Sequence, residues 1–72
     1  MMVVVNGNRI RQLREAKGLS QEALGDKVGA SQTMIAHVER NIKNPGISTL
    51  KLMADFFGMP MEELLGGEAE RS

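Results

Sequence analysis

The chain has 72 residues, which is near the lower limit for one domain held together by a hydrophobic core alone. It contains no cysteine and one histidine, so disulfides and thiolate metal sites are excluded and no metal or other cofactor is expected. The formal net charge is zero, but residues 1–51 carry eight basic and four acidic side chains, whereas residues 52–72 carry one and five. This separation favours a basic face directed toward phosphates, although an ordinary solvated surface could have the same composition.

Three further classes of protein are disfavoured by the sequence: membrane-spanning proteins, secreted proteins and enzymes. No apolar run approaches the roughly 20 residues of a membrane span, and the apolar start MMVVV is too short for a signal peptide. The sequence also has no nucleophile–base pairing, metal-ligand cluster or glycine-rich phosphate loop. We therefore expect a cytoplasmic protein without membrane contact that is not an enzyme.

The first half of the chain predicts two helices after a short apolar segment. Residues 1–7 end in an Asn-Gly turn signal and form a possible strand or dimer arm. Helix 1 is predicted from Asn8, its N-cap, to about Lys17. Ser20 is the predicted N-cap of helix 2, and Gly29 ends that helix in a left-handed conformation.

The third predicted helix has an exposed polar face. It begins after the N-cap Ser31 and ends near Asn41, a residue that tolerates the left-handed conformation. Ile35 and Val38 face inward, so the opposite side remains open to solvent. A short helix that buries one side and offers polar side chains on the other can enter the major groove of DNA. The exposed face consists of Gln32, Thr33, Ala36, His37 and Arg40.

The remaining sequence predicts two more helices and a tail. Helix 4 covers residues 47–57, with either Gly46 or Ser48 as its cap, and a short fifth helix begins at Pro60. Residues 66–72 are predicted to be a flexible tail. The folded domain is thus expected to span residues 8–65 and to be all-α, with five helices.

A dispersed pattern of residues runs through the first four of these helices. It consists of Ile10, Leu13, Arg14, residues 19–22, Leu24, residues 27–29, Ser31, Gln32, Ile35, Glu39, Asn44, Pro45 and Leu50. In this pattern the chain resembles the phage repressor/Cro-like (XRE-type) helix-turn-helix proteins over residues 8–65. The resemblance implies a five-helix, lambda-repressor-like DNA-binding domain in which helices 2 and 3 form the helix-turn-helix.

The resemblance also implies roles for individual side chains. Gln32 corresponds to a glutamine that contacts a base edge, typically that of adenine, and the other expected base contacts come from Thr33, Ala36 and His37. Gln21 corresponds to a glutamine that binds a backbone phosphate and braces Gln32. Further phosphate contacts are expected from Ser31, Arg40 and Lys43. The alternatives are a Gln32 that merely faces solvent and a His37 that contacts phosphate.

Three positions inside the domain have structural roles by the same resemblance. Arg14 and Glu39 correspond to a partly buried ion pair that joins helix 1 to helix 3. Its role is to orient helix 3 more than to stabilise the fold, because the desolvation of two charges roughly cancels their attraction. Gly25 replaces the usual alanine at the contact between helices 2 and 3, and a glycine within a helix costs about 1 kcal/mol relative to alanine.

Helix 4 carries a second apolar stripe, Leu52 and Phe56, where polar residues are usual in the family. A helix that is apolar on both sides must be covered on both. We expect a homodimer whose interface contains Leu52, Phe56 and Met59; the alternative cover is the N-terminal segment, folded back or paired with its twofold mate. Twofold symmetry would also provide paired half-sites about one DNA turn apart.

The function expected from these observations is sequence-specific binding of double-stranded DNA by a transcriptional repressor or activator. The protein would read the major groove with helix 3, as a homodimer on an inverted repeat. The alternative is an antitoxin or a restriction–modification controller, which has an additional protein partner. A protein-interaction module that has lost DNA binding is a third possibility.

Overall fold

The structure, a computed structural model, describes residues 4–66. The elements are four α-helices and one 3-10 turn: α1 Gly7–Ala16, α2 Gln21–Val28, α3 Gln32–Glu39, α4 Ile47–Phe57 and the turn Met61–Leu64. The predicted all-α class is thereby confirmed for residues 4–66, in which one isolated antiparallel bridge, Val5 to Leu65, is the sole β-type pairing. None of the helices in this range is long and apolar enough to cross a membrane.

Serine side chains begin α2 and α3, as the sequence predicts. The Oγ of Ser20 accepts a hydrogen bond from the backbone N of Ala23 at 3.0 Å. The Oγ of Ser31 accepts one from the backbone N of Met34 at 3.1 Å. Each bond satisfies an N–H group that has no partner inside its helix. These two caps fix where the two helices begin.

The start of α1 differs from the prediction. Asn6, not Asn8, is the N-cap, and its Oδ1 accepts a hydrogen bond from Arg9 N at 3.1 Å. The two asparagines have equal capping ability, so the choice between them depends on packing. Asn6 is favoured because Val5 beside it is buried, at 2% exposure, and Gly7 packs directly against α3.

The ends of the helices largely follow the predicted signals. Gly29 ends α2 at φ 71°, and Asn41 follows α3 at φ 60°. Asn41 is the one residue other than glycine with a positive φ among those described. Of the two candidate caps for α4, Gly46 occupies the N-cap position and provides no side-chain hydrogen bond.

The predicted fifth helix is a single 3-10 turn of four residues, Met61–Leu64. Leu64 is fully buried, but Leu65 leaves the turn with an extended backbone and pairs with Val5. The backbone N of Asn6 donates to Leu64 O at 2.8 Å, and Gly66 N donates to Val4 O at 3.1 Å. This pairing draws the chain away from a helical path, so the turn does not lengthen into an α-helix.

The core collects apolar side chains from every element and from the N-terminal segment. Val5 belongs to this core, so residues 4–7 are packed onto the helices of their own chain. The first three residues, and residues 67–72 of the predicted tail, lie outside the described part of the chain. The buried apolar residues are Val5, Ile10, Leu24, Val28, Ile35, Val38, Leu50, Met53, Ala54 and Leu64.

Two glycines allow helices to approach α3 closely. A Cβ atom at Gly7 would collide with the carbonyl oxygens of Val38 and Glu39 at the end of α3. A Cβ atom at Gly25 would collide with the carbonyl oxygen of Ala30, just before α3 begins. Alanine at position 25 would therefore not simply recover the helix propensity that glycine lacks. Both contacts set the position of α3 relative to α1 and α2.

Candidate nucleic-acid interface

The polar face of α3 is held outward by a fully buried opposite face. Ile35 and Val38 have 0% exposure and anchor the helix in the core. Gln32 and Thr33 at the start of the helix are exposed, whereas Ala36 and His37 one turn later are half-buried. The expected phosphate-contacting residues at its edges, Ser31, Arg40 and Lys43, are all exposed. The residues singled out for DNA contact thus lie together on and around one helix.

A glutamine pair joins the start of α3 to the start of α2. The Nε2 of Gln32 donates to the Oε1 of Gln21 at 3.3 Å. Gln21 in turn donates through its Nε2 to the Oε1 of Glu39 at 3.2 Å. The expected bracing of Gln32 by Gln21 therefore has a direct counterpart in the geometry, and Glu39 extends the bracing into the interior.

Arg14 and Glu39 form the ion pair at the inner end of this chain of bonds. Arg14 Nε donates to Glu39 Oε2 at 2.6 Å, and Arg14 Nη2 donates to Glu39 Oε1 at 3.1 Å. The side chains are only 11% and 4% exposed. Arg14 also donates through Nη1 to the carbonyl oxygen of Leu19 at 2.7 Å, which ties the loop before α2 to the same pair.

The charge of Arg14 is stabilised by Glu39. The hydrogen bond to Glu39 is the main cause that raises the pKa of Arg14 above its ordinary value, so the guanidinium stays charged. Within the described residues, no buried side-chain nitrogen or oxygen lacks a hydrogen-bond partner. A buried charge pair whose nitrogen and oxygen atoms all have hydrogen-bond partners is held in a defined geometry, which suits an orienting role for α3.

A polar cavity of about 380 Å³ lies beside the glutamine pair. Its walls come from α1, from the start of α2 and from the polar side of α3. Arg11 on this wall pairs with Glu15 one turn later on α1, with 3.2 Å between Nε and Oε2. The lining residues are Arg11, Arg14, Glu15, Gln21, Ala36, Glu39 and Arg40. Arg11 and Glu15 were missed at the level of sequence, because their helical face cannot be related to α3 without the tertiary contact.

The residues expected at a dimer interface are unevenly exposed. Leu52 is 46% exposed, whereas Phe56 and Met59 are partly buried against the core. The ring of Phe56 lies 5.4 Å from that of Phe57, between centroids, and Lys17 Nζ lies 5.3 Å from the Phe56 centroid. Part of the second apolar stripe is therefore covered within its own chain.

Two isoleucines after α3 are more exposed than Leu52, and neither was predicted from the sequence as part of a site. Ile42 is 59% exposed and Ile47 is 67% exposed. Ile47 borders an apolar cavity of about 310 Å³, which Pro45 and Met61 also line. No helical periodicity marks Ile42 and Ile47, because they lie in or next to a loop. As for metals, residues 4–66 contain no cluster of three or more His, Asp or Glu side chains that could hold an ion.

Known proteins with this fold were found by sequence and by structure. The helix-turn-helix family model matches residues 10–64. The immunity repressor protein of Bacillus phage phi105 is 34% identical over 62 residues, which make up 86% of this chain and 43% of the repressor. The crystal structure of the P22 c2 repressor with a synthetic operator has a TM-score of 0.80 and 32% identity, covering 86% of this chain and 94% of that chain. The restriction-modification controller protein C.AhdI from Aeromonas hydrophila has a TM-score of 0.72 and 36% identity, covering 81% and 88%.

The four helices and the capped α2–α3 unit define a lambda/P22 repressor-like helix-turn-helix domain. The chain belongs to the helix-turn-helix family of phage repressor/Cro-like (XRE) type, whose members are DNA-binding transcription regulators. This family is not an enzyme family. The chain spans 29% to 58% of the length of three curated transcription regulators that it matches.

Proposed function

We propose that this protein binds double-stranded DNA sequence-specifically as a transcription regulator, with α3 in the major groove. The observation that carries the proposal is the continuous chain of hydrogen bonds from Arg14 through Glu39 and Gln21 to Gln32. It begins at a buried charge pair and ends at an exposed amide on the first residue of α3. A side chain that only faced solvent would not need such support.

The polarity of this chain of bonds determines which groups Gln32 offers to a base. A carboxylate can only accept hydrogen bonds, so Glu39 requires Gln21 to present its NH2 group inward. Gln21 must then present its oxygen to Gln32, which uses one N–H to donate to it. Gln32 retains an oxygen acceptor and a second N–H. These are the two groups that bind N6 and N7 of adenine, so adenine is the base we assign to Gln32.

The neighbouring exposed residues have roles that suit their chemistry. Thr33 and Ala36 provide methyl groups that can contact a thymine methyl, and the small size of Ala36 lets the helix approach the base edges. His37, one turn along the same face, can donate to a base or to a phosphate. Ser31, Arg40 and Lys43 at the edges of the helix suit phosphate contacts, which position the protein without specifying sequence.

The start of α2, where Gln21 is the first residue, is a second place that can bind a DNA phosphate. The first backbone N–H groups of a helix and the positive end of its dipole favour a phosphate. α2 spans Gln21–Val28, and Ser20 caps its first turn. A phosphate bound at this end of α2 would lie next to the Gln21–Gln32 pair, so backbone binding and base reading would be coupled in space.

We further propose a homodimer on an inverted repeat, with Leu52, Phe56 and Met59 at the interface. The described domain measures 31 × 22 × 21 Å along its principal axes. A domain of this size covers one half-site, and half-sites one DNA turn apart lie roughly 34–36 Å from centre to centre. Leu52 is 46% exposed, so a second copy could pack against it. Phe56 and Met59, which are partly buried against the core, would contact that copy with the part of their surface that remains exposed.

Selection of bound duplexes from a random DNA pool tests the function and the dimer together. We expect an inverted repeat with an adenine at a fixed place in each half-site, and an affinity that falls steeply as salt is raised. Absence of binding at low salt would refute DNA binding and would favour a protein-interaction module. A single short site would refute the paired half-sites.

Variants of Gln32 test the assignment of adenine. Gln32→Ala should relax the preference at the adenine position by about 1–3 kcal/mol. Gln21→Ala removes both the expected phosphate contact and the bond that orients Gln32, so it should weaken binding to all sequences and also lower the adenine preference, by less than Gln32→Ala does. Gln12→Ala is the matched control, because Gln12 is an exposed glutamine on α1 that does not line the cavity beside α3. An unchanged preference in Gln32→Ala would refute its role as a base reader.

A restriction–modification controller is the second candidate function. Its support is the 36% identity with C.AhdI, of which the match covers 88%, so the likeness extends over nearly that whole protein. The DNA-binding chemistry would be the same. Mapping of the selected sequence on the source genome separates the two functions, since a controller would have its operator beside restriction and modification genes.

A further inference from the structure

The polar cavity beside α3 has more positive charge than the fold itself requires. Arg14, which also lines the cavity, already binds groups of the protein itself. Its Nε and Nη2 bind Glu39, and its Nη1 binds the carbonyl oxygen of Leu19. Arg11 and Arg40 also line the cavity. Neither is needed to satisfy a buried group, since both residues are exposed. An anion that entered the cavity would therefore meet these two side chains.

The ion partner of Arg11 is weakly held. Arg11 and Glu15 are 57% and 54% exposed, and they lie one helical turn apart. Exposed pairs of this kind contribute little and exchange readily with solvent ions. Glu15 also lies 3.9 Å from Arg14 Nη2, so its carboxylate is close to two of the arginines that line the cavity. A phosphate that entered would replace this carboxylate as the partner of Arg11.

We propose that Arg11, together with Arg40, binds one DNA backbone phosphate in this cavity and that Glu15 competes with that phosphate. The proposal rests on the DNA-binding function proposed above and adds to it a phosphate contact from α1, outside the helix-turn-helix. The cavity is also lined by Gln21 and Ala36, so the phosphate would lie next to the residues assigned to reading. Glu15 thereby limits the affinity of the protein for all DNA.

The chain offers a matched control for each partner. Arg9 lies on the same helix as Arg11, and it pairs with Glu63 at 3.6 Å outside the cavity. Arg9 and Glu63 are 40% and 52% exposed, so this pair lies at the surface, as the Arg11–Glu15 pair does. Neutralising Arg9 or Glu63 changes the net charge as much as neutralising Arg11 or Glu15. Any difference between the pairs therefore reports position and not overall charge.

The experiment measures the affinity of the full chain for a fluorescently labelled duplex of mixed sequence at several salt concentrations. We expect Arg11→Gln to weaken binding by roughly three- to tenfold and to reduce the slope of log affinity against log salt by about one, which corresponds to one lost phosphate contact. Arg9→Gln should leave the slope unchanged. Equal effects of Arg11→Gln and Arg9→Gln would overturn the proposal.

The reverse effect is expected at Glu15. Glu15→Gln should strengthen binding by roughly two- to fivefold, because it frees Arg11 and removes a negative charge near phosphate. Glu63→Gln should produce less than half of that gain. A loss of affinity in Glu15→Gln, or a gain no larger than that of Glu63→Gln, would overturn the proposal. The wild-type protein distinguishes the two levels of failure: if it does not bind the duplex at low salt, DNA binding itself is refuted, whereas normal wild-type binding with these null results refutes the Arg11 site alone.

Discussion

The side-chain oxygen of Asn41 accepts a hydrogen bond from the backbone N of Gly7 at 3.0 Å, so the residue that follows α3 also holds the first residue of α1. Asn44 makes the equivalent bond to the backbone N of Val5, also at 3.0 Å. Asn41 has a φ of 60°, a conformation in which glycine would be at least as stable. Glycine, however, has no side chain to accept the bond from Gly7.

Two substitutions of Asn41 separate its backbone role from its side-chain role. Asn41→Gly keeps the left-handed conformation but loses the bond to Gly7, at a cost of about 1 kcal/mol. Asn41→Ala loses the same bond and adds strain of about 1 kcal/mol, for a total of about 2 kcal/mol. Urea unfolding would measure both. Equal stability of the glycine variant and the wild type would show that the bond to Gly7 contributes nothing.

The buried ion pair predicts a large loss of stability when one partner is neutralised. Glu39→Gln leaves the Arg14 guanidinium buried without a counter-charge and should cost about 3 kcal/mol. Glu63→Gln, at an exposed pair, should cost less than about 1 kcal/mol. Because the pKa of Arg14 is raised, its share of this stability is complete below its ordinary pKa and is lost only as the pH rises through the raised value. A small loss in Glu39→Gln at neutral pH would contradict the structural role of the pair.

The same substitution should also change base preference. The amide introduced by Glu39→Gln could donate as well as accept, so it would no longer force one orientation on the amide of Gln21. Gln32 could then meet either end of Gln21, and its preference for adenine should fall by about 1 kcal/mol. Competition between duplexes that differ at the adenine position would measure this in folded Glu39→Gln protein. If Glu39→Gln kept the full preference for adenine, the direction of the hydrogen bonds from Glu39 to Gln32 would not determine which base Gln32 binds.

The close approach of α1 to α3 predicts that Gly7 cannot be enlarged. Gly7→Ala places a methyl group against the carbonyl oxygens of Val38 and Glu39 and should cost about 1–3 kcal/mol. Gly46→Ala is the control, since a Cβ atom there meets nothing within 4 Å. It should change the free energy of unfolding by less than about 1 kcal/mol, the cost of placing alanine at the N-cap of α4. Similar melting temperatures for the two variants would refute the steric argument.

The proposed dimer interface predicts a charge-sensitive association. Leu52→Glu introduces a carboxylate at a half-exposed position and should convert the dimer to a monomer without unfolding the domain. Ile47→Glu is the matched comparison, because Ile47 is even more exposed and borders a different apolar surface. Sedimentation velocity would compare the two. A dimer that persists in Leu52→Glu but dissociates in Ile47→Glu would place the interface at the start of α4.

Local features of the fold could be predicted from the sequence, whereas features that depend on distant contacts could not. The caps Ser20 and Ser31 and the exits Gly29 and Asn41 are set by neighbouring residues, and all four were predicted correctly. The prediction of Asn8 as the N-cap of α1 was wrong, because the choice between Asn6 and Asn8 depends on how residues 4–7 pack on the rest of the chain. The five-helix count is not confirmed for the same reason, since the predicted fifth helix is a single 3-10 turn that the Val5–Leu65 bridge ends.

The candidate site shows the same division. The face shared by Gln32, Thr33 and Ala36 follows from helical spacing, so the sequence alone could identify it. The direction of each hydrogen bond between Glu39, Gln21 and Gln32 depends on three helices meeting, and no spacing rule contains that information. The position of Glu15 beside the polar face of α3 likewise depends on how α1 packs against α3, so helical spacing could not predict it.

The bridge between Val5 and Leu65 brings residues 4 and 66 within hydrogen-bonding distance, so the described chain forms a nearly closed loop. A domain whose first and last residues lie this close together tolerates circular permutation. A short linker that replaces residues 67–72 and 1–3 could join Gly66 to Val4, and new ends could be opened at exposed Gly18, between α1 and α2, without cutting a helix. Such a permutant would keep α2, α3 and their connection continuous in sequence, while α1 would become the last element of the chain.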